Sequence, residues 1–189
     1  MPGKLKSIIF RRFFEPILDS SGSISQVSWG VGIGVFFALT PTVGVQMYVV
    51  ALIWAFCRYI LKTNFKLAVA LAMVWISNPF TMVPLYYLFL VTGYWLLETK
   101  NILSYQHFAD TLGRISETGG TWEIIVEGAR FLLIDLGWPM IIGGFVYAVP
   151  GFFISYFLTK SIATSHRKSM ARIAGMSYED WQTENETQH

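Results

Sequence analysis

Three long segments of the sequence carry almost no charged side chains. Residues 27–57 and 67–97 contain none, and residues 131–158 contain one, Asp135. A helix needs about 20 apolar residues to cross the roughly 30 Å hydrocarbon core of a bilayer, and each segment exceeds that length. The composition agrees, because 53% of the residues are hydrophobic, 14% are charged and the mean hydropathy is +0.48. We therefore predict an all-α polytopic membrane protein.

Polar, proline-containing breaks interrupt two of these segments. The first break is Thr40-Pro41-Thr42-Val43-Gly44-Val45-Gln46, and the second is Ser77-Asn78-Pro79-Phe80-Thr81-Met82-Val83-Pro84. Proline lacks an amide hydrogen and clashes with the preceding turn, so a helix ends or kinks at each break. Irregular backbone at membrane depth is tolerated only where it is buried in protein or lines a cavity. The two breaks are therefore predicted to lie inside the protein and to form a site.

The first broken segment has two possible topologies. Each half gives a helix of roughly 20 Å, which is short for a full crossing, so the segment is either one kinked span or a re-entrant helical hairpin with its tip in the membrane. The basic residues favour the hairpin, because they cluster before this segment, directly after it and after the third segment. These residues are Lys4, Lys6, Arg11, Arg12, Arg58, Lys62, Lys66, Lys160, Arg167, Lys168 and Arg172. By the positive-inside rule, both termini are cytoplasmic and the acidic 98–130 loop is outside.

These patterns divide the chain into three parts. Residues 1–19 are predicted to form an amphipathic helix, either in the head-group plane or packed on the rest of the chain. Their basic residues leave no room for the apolar core of a signal peptide, so we expect the first apolar segment to act as its own insertion signal. Residues 20–160 form the membrane domain, with apolar segments 27–60, 67–97 and 131–158 and an outer loop at 98–130. Residues 161–189 form a cytoplasmic tail.

Small residues and loop residues add local predictions. Gly30 and Gly34 form a small-xxx-small face, for which close helix packing is the favoured explanation. Phe108 begins an apolar stripe at helical spacing in the outer loop, and Thr121 can cap a second helix there. The third apolar segment contains Gly143-Gly144 and Pro150-Gly151, which punctuate it as well.

The sequence offers no catalytic or metal-binding pattern. Its three histidines are scattered and Cys57 is its only cysteine. Asp135 is the one intramembrane acid and by default a functional candidate, although it lies near the segment's edge, where snorkelling or pairing with Arg130 explains it equally well. We therefore expect a protein that is not an enzyme and that has no cofactor and no metal. A net charge of +2 gives no reason to expect nucleic acid, and membrane lipids are the expected partners.

The candidate solute-binding residues come from the two breaks and from one cation at the presumed cytoplasmic face. They are Thr40, Pro41, Gly44, Gln46, Arg58, Ser77, Asn78, Pro79 and Thr81. The free N–H groups at the N-termini of half-helices suit an anion. Some of these residues also have a structural explanation: Ser77, Asn78 and Thr81 can bond to the backbone groups that the kink frees, and Arg58 can be an ordinary positive-inside anchor.

Three functions follow from this site. The leading hypothesis is that the protein transports or flips a small or lipid-linked anionic solute. The alternative is a non-catalytic structural or accessory membrane subunit, in which the breaks only pack against partners. A membrane enzyme would need an acid or base, and Asp135 is the only intramembrane candidate. Because one chain offers few spans, a homodimer is expected.

The joint pattern of these motifs resembles a bacterial membrane family, the domain of unknown function 2062 (DUF2062). The resemblance covers roughly residues 10–165 and rests on Gly30-x-Gly32-x-Gly34-x5-Thr40-Pro41-x2-Gly44-x-Gln46, on Arg58 and Asn64, on Ser77-Asn78-Pro79-x-Thr81-x2-Pro84-x-Tyr86, and on Gly143-Gly144 and Tyr156. It implies a multi-pass inner-membrane protein of Gram-negative type bacteria, with no assigned activity. The broken segments also look like those of small membrane families that export solutes or move lipid carriers through re-entrant hairpins.

Overall fold

The computed structural model describes residues 23–42, 45–98, 104–117, 120–130 and 137–187. Within these residues the chain is helical and contains no strand, which confirms the predicted all-α class. The helices are α1 (Ile24–Ala38), α2 (Gln46–Tyr59), α3 (Leu67–Val74), α4 (Pro79–Leu96), α5 (Tyr105–Glu117), α6 (Thr121–Arg130), α7 (Gly137–Ile173) and α8 (Tyr178–Thr187). The predicted helix at 1–19, Gly44 and Asp135 lie outside the described residues.

Helix α1 packs against α3 through its glycines. Ser23 caps α1 by accepting a hydrogen bond from the Gln26 amide at 3.2 Å. A Cβ added at Gly30 would lie 2.7 Å from the carbonyl oxygen of Lys66, and one at Gly34 would meet the carbonyl oxygen of Ala70. The predicted packing role of the two glycines is thus confirmed. Because the contacts advance together along both helices, α1 and α3 run parallel.

Helix α2 runs antiparallel to α3 and lies beside it. Val50 on α2 belongs to one buried cluster with Phe65, Ala70 and Val74, which lie in or just before α3. Towards the end of α2, the Trp54 indole donates a hydrogen bond of 3.0 Å to a side chain in the α2–α3 turn. Residues 39–45 therefore connect two oppositely directed helices, and this connection lies at the end of α3 rather than at its start.

Helix α7 is the longest element and lies along α1. Its 37 residues give a length of about 55 Å. Gly32 of α1 leaves room for the Phe152 ring, at 2.9 Å from an added Cβ, and Gly151 of α7 leaves room for the Leu39 side chain at 2.6 Å. Since higher numbers on α7 meet lower numbers on α1, the two helices are antiparallel.

The first part of α7 lies along α4 in the same way. Added Cβ atoms at Gly143 and Gly93 would collide with the carbonyl oxygens of Phe89 and Pro139, respectively. Helix α4 thus packs against the part of α7 that precedes the part against which α1 packs. Helices α1 and α4 therefore pack against consecutive parts of α7. The chain between them forms α2 and α3.

The glycines and the proline inside α7 do not interrupt it. The helix continues through Gly143, Gly144 and Pro150 and past residue 161, where the sequence predicted the start of the cytoplasmic tail. The glycines allow α1 and α4 to approach α7 closely, and α7 remains helical at these positions. After Ile173 the chain turns and forms α8.

Large apolar side chains remain on the outside of the molecule. Helix α7 is long and apolar enough to cross a membrane, and no other described helix is; α1 and the stretch Thr81–Leu96 of α4 are apolar but shorter. Exposed apolar side chains recur at helical spacing on α2, at Tyr48, Leu52 and Phe56. Association with a membrane is therefore supported, principally by α7.

Candidate functional site

The two sequence breaks meet through a pair of side chains. The Gln46 side-chain amide donates a hydrogen bond of 3.1 Å to the Ser77 hydroxyl, and the Ser77 hydroxyl lies 3.3 Å from Gln46 Oε1. The same hydroxyl lies 3.3 Å from the Val74 carbonyl oxygen, and Ser77 is 7% exposed. Two residues 31 positions apart thus join the start of α2 to the end of α3. We call residues 40–42, 45–46 and 75–81 the break junction.

Residues 40–42 of the first break are bonded within the protein and packed against α4 and α7. The Thr40 hydroxyl donates to the Phe37 carbonyl oxygen at 2.9 Å and lies 3.4 Å from the Thr42 hydroxyl. Tyr86 of α4 directs its hydroxyl at the Thr40 carbonyl oxygen from 3.5 Å, a long hydrogen bond. Pro41 is buried against Gly144 of α7. The end of α1 is therefore anchored on both α4 and α7.

The second break forms a capping box at the start of α4. Asn78 Oδ1 accepts from the Thr81 amide at 3.1 Å, and Thr81 Oγ1 accepts from the Asn78 amide at 3.0 Å. The Thr81 hydroxyl donates in turn to the Ile76 carbonyl oxygen at 2.6 Å. Pro79 is the first residue of α4, where its missing amide hydrogen costs no helical bond. The prediction that side chains here bond to freed backbone groups is confirmed.

Arg58 lies away from the break junction. It belongs to the last turn of α2, about 18 Å along the helix from Gln46. Its guanidinium carbon lies 5.3 Å from the centroid of the Trp54 ring. The structure thus brings Gln46 and Ser77 together but leaves Arg58 at the opposite end of α2.

Tyr86 contacts the break junction, although it was not among the candidate site residues predicted from the sequence. The sequence holds two adjacent tyrosines in this segment, and only the helical phase distinguishes them. Tyr86 is fully buried and faces the first break, whereas Tyr87 packs against the rings of Tyr105 and Phe108 at 5.0 and 5.9 Å. The motif that carries the family resemblance includes Tyr86, but the residues themselves did not predict that Tyr86 rather than Tyr87 contacts the first break.

The junction also brings four helix ends together. Helices α1 and α3 end there, so their carbonyl ends carry partial negative charge, and α2 and α4 begin there with partial positive charge. Asn78 caps α4, but Val45 at the start of α2 makes no side-chain cap. The start of α2 is thus the end of the junction best suited to an anion.

The described part of the chain contains no ready-made metal centre. It holds no group of three or more His, Cys, Asp or Glu side chains placed to bind a metal ion. Its buried side-chain nitrogen and oxygen atoms all have hydrogen-bond partners. What the junction offers is therefore amide, hydroxyl and backbone groups.

A separate apolar groove lies between α1, α2 and α7. Its volume is about 420 Å³, and every side chain that lines it is apolar. These side chains are Ile33, Phe36 and Phe37 of α1, Ile53 of α2, and Val149, Phe152 and Phe153 of α7. No residue of the break junction lines it, so the molecule has a polar junction and an apolar groove at different places.

Comparisons with known proteins give one match. The model of a family described as "Uncharacterized protein conserved in bacteria (DUF2062)" matches residues 8–172, which include α1 to α6 and nearly all of α7. Neither the curated proteins nor the solved structures include one that matches. The matched residues hold both breaks and the glycines that pack α1 and α4 on α7, and the chain therefore belongs to the DUF2062 family.

Proposed function

We propose that this chain is a multi-pass protein of the bacterial inner membrane that transports or flips a small or lipid-linked anionic solute at the break junction. In this proposal α1 and α2 form a re-entrant hairpin, α3 and α4 form a broken span, and α7 forms a complete span. The observation that carries the proposal is the Gln46–Ser77 contact, which joins the tip of the hairpin to the break in the span.

The length of α7 supports the membrane placement. From Trp138 to Lys160 the helix rises about 33 Å, close to the roughly 30 Å core of a bilayer. Trp138 and Trp95 are 72% and 77% exposed at one end of the α4–α7 pair, where an aromatic belt is expected. Arg58 and Lys160 lie at the other end, which we assign to the cytoplasm.

The depth of the hairpin supports a site within the membrane. Helix α1 is about 22 Å long and α3 about 12 Å, so the junction lies partway along α7 rather than at its end. Discontinuous helices that meet near the midplane are the usual binding sites of membrane transporters, since the ends of half-helices provide bonding groups there.

The geometry suggests how a solute would bind. An anion at the start of α2 would accept from the Gln46 amide and the Ser77 hydroxyl, in place of the bond between them. Binding would therefore open the Gln46–Ser77 contact and separate the hairpin tip from α3. In the absence of solute the contact closes the junction.

The test is movement of defined anionic probes by the purified chain in liposomes. We expect fluorescent phosphatidylglycerol to change leaflets, or radiolabelled phosphate to enter, faster than in liposomes without protein. Gln46→Leu and Ser77→Ala should each abolish the gain. Thr92→Val is the matched control, because it removes another interhelical contact, the 2.9 Å contact between the Thr92 and Tyr147 hydroxyls, away from the junction.

The alternative is a non-catalytic structural or accessory subunit, and one observation favours it. The buried polar atoms of the described junction residues are already bonded within the protein, so no solute is needed to satisfy them. If Gln46→Leu lowers thermal stability while neither probe moves with the wild-type chain, the transport proposal is wrong and this alternative holds. We also propose a homodimer, because one chain supplies few complete spans.

A further inference from the structure

The geometry points to a lipid site in the groove between α1, α2 and α7: the groove holds one acyl chain of an anionic glycerophospholipid, and the phosphate lies at the basic end of α2 and α7. The inference rests on the proposed membrane placement but not on solute movement. It assigns a ligand to a part of the molecule that the proposed transport does not use.

The groove suits a hydrocarbon chain and excludes a hydrated solute. Its volume of about 420 Å³ falls within the range of small-molecule sites, roughly 300–1,000 Å³. Because all of its lining side chains are apolar, a polar group placed there would lose its hydrogen bonds with water and gain none. Val149 and Phe153 line it and are 45% and 52% exposed, so the groove opens sideways, towards lipid in the proposed placement.

Aromatic contacts fix the shape of the walls. Phe36 and Phe37 of α1 meet edge to face with centroids 5.2 Å apart, and Phe36 also contacts Phe145 of α7 at 5.8 Å. On α7, Phe152 and Phe153 meet at 5.2 Å with an angle of 88° between their rings. These contacts favour the ring orientations that form the walls of the groove.

The charges at one end identify the class of lipid. Arg58 follows the lining residue Ile53 by about 8 Å of helix, and Lys160 follows Phe153 by about 10 Å. Since α2 and α7 both run antiparallel to α1, both cations lie towards the same end of the groove, and both are exposed. Residues 20–97 and 137–178 contain no acidic side chain. A lipid phosphate at this end meets cations and no competing carboxylate from these segments.

The two cations also set the expected lipid selectivity. In a bilayer the groove gains no hydrophobic free energy from an acyl chain, because bulk lipid is equally apolar. Packing in the groove then fixes where the acyl chain lies, and the two cations determine which lipid head group is favoured. One basic residue near anionic lipid is expected to favour it about fivefold over a zwitterionic one.

The experiment is photolabelling of the full chain in nanodiscs. The probes are phosphatidylglycerol and phosphatidylcholine that carry the same acyl chain with a diazirine near its end, and peptide mass spectrometry locates the adducts. We expect phosphatidylglycerol adducts concentrated on residues 33–37 and 149–153, in excess over phosphatidylcholine. Arg58→Gln and Lys160→Gln should each reduce this excess about fivefold.

Variants that fill the groove test whether the acyl chain lies in it. Val149→Trp should reduce the adducts on residues 33–37 to background, and Ile53→Trp should do the same from the opposite wall if Val149→Trp does not fold. Ile154→Trp is the control, because Ile154 is 65% exposed and does not line the groove. Gln46→Leu should label like the wild-type chain, which separates this proposal from the proposed transport.

Three results would overturn the proposal. Adducts that spread evenly over exposed positions such as Leu52 and persist in the filled variants would show bulk lipid only. Equal labelling by the two lipids would remove the role of the cations. A groove-filling variant that converts the proposed dimer into a monomer and leaves the adducts unchanged would show that a second copy of the chain occupies the groove.

Discussion

At the scale of single residues, glycines determine how closely the long helices approach. Gly143 faces the Phe89 carbonyl oxygen so closely that a Cβ would collide with backbone rather than with a flexible side chain. We predict that Gly143→Ala destabilises the protein by about 3 kcal/mol, at the upper end of the cost of overpacking, because α4 must move away from α7. Reversible unfolding in mixed micelles measures this change in the free energy of unfolding.

Gly113 provides the matched control for this substitution. It lies inside α5, and nothing lies within 4 Å of where its Cβ would be. Gly113→Ala should therefore stabilise the protein by up to about 1 kcal/mol, through helix propensity alone. Equal effects of the two substitutions would contradict the account of Gly143 as a packing position.

The Gln46–Ser77 contact is the second residue-scale feature that can be measured. Gln46→Leu and Ser77→Ala should each cost about 1 kcal/mol, the usual value of a hydrogen bond. In a double-mutant cycle the two should show a coupling of about 0.6 kcal/mol, the average for such contacts between membrane helices. Additive effects in the same unfolding assay would mean that the contact does not hold the hairpin tip to the end of α3.

At the scale of the helices, the start of α4 depends on its capping box. Asn78→Ala removes the oxygen that accepts from the Thr81 amide, so we predict a loss of about 1 kcal/mol of stability. Asn78→Ser should retain most of it, since serine caps equally well. Ser23→Ala at the start of α1 removes a comparable cap and serves as a reference. An Asn78→Ala protein as stable as the wild type would show that tertiary packing alone fixes the start of α4.

The sequence predicted where these helices break better than how they pack. Proline chemistry placed the end of α1 and the start of α4, because the missing amide and the ring clash act locally. The same chemistry at Pro150 did not end α7, and Gly143-Gly144 did not either. Whether a glycine breaks a helix or admits a neighbour depends on which helix lies opposite, and that is not encoded in the local pattern.

In the candidate site, too, hydrogen bonds between residues close in sequence were easier to predict than contacts between distant helices. Thr40 and Thr81 each bond to a backbone carbonyl oxygen within five residues, and the residue types predicted this for Thr81. The Gln46–Ser77 contact depends on α2 and α3 running antiparallel, which only the charge distribution suggested. Arg58 was selected as a cation beside an uncharged segment, but the length of α2 carries it away from the junction.

At the scale of the whole molecule, α7 is the reference along which the other helices are arranged. Helices α1 and α4 pack against successive parts of α7. The chain leaves the break junction through α2 and returns to it at the end of α3. This arrangement places the starts of α1 and α3 together, since the Lys66 amide donates to the Gln26 carbonyl oxygen at 3.1 Å. It supports the proposed re-entrant hairpin, because α3 would start on the same side of a membrane as α1.

Cysteine accessibility tests this topology in intact cells and inverted vesicles. In a Cys57→Ala background, Ser23→Cys before α1 and Thr63→Cys before α3 should both react with a membrane-impermeant maleimide only in inverted vesicles, because in the proposed topology both precede helices that start at the cytoplasmic face. Gly120→Cys, an exposed position before α6, should react only in intact cells. Since position 120 reports on the opposite side, it controls for leaky membranes. Labelling of positions 23 and 63 from opposite sides would replace the hairpin by a full crossing between α1 and α3, and the break junction could then not join a hairpin tip to a broken span.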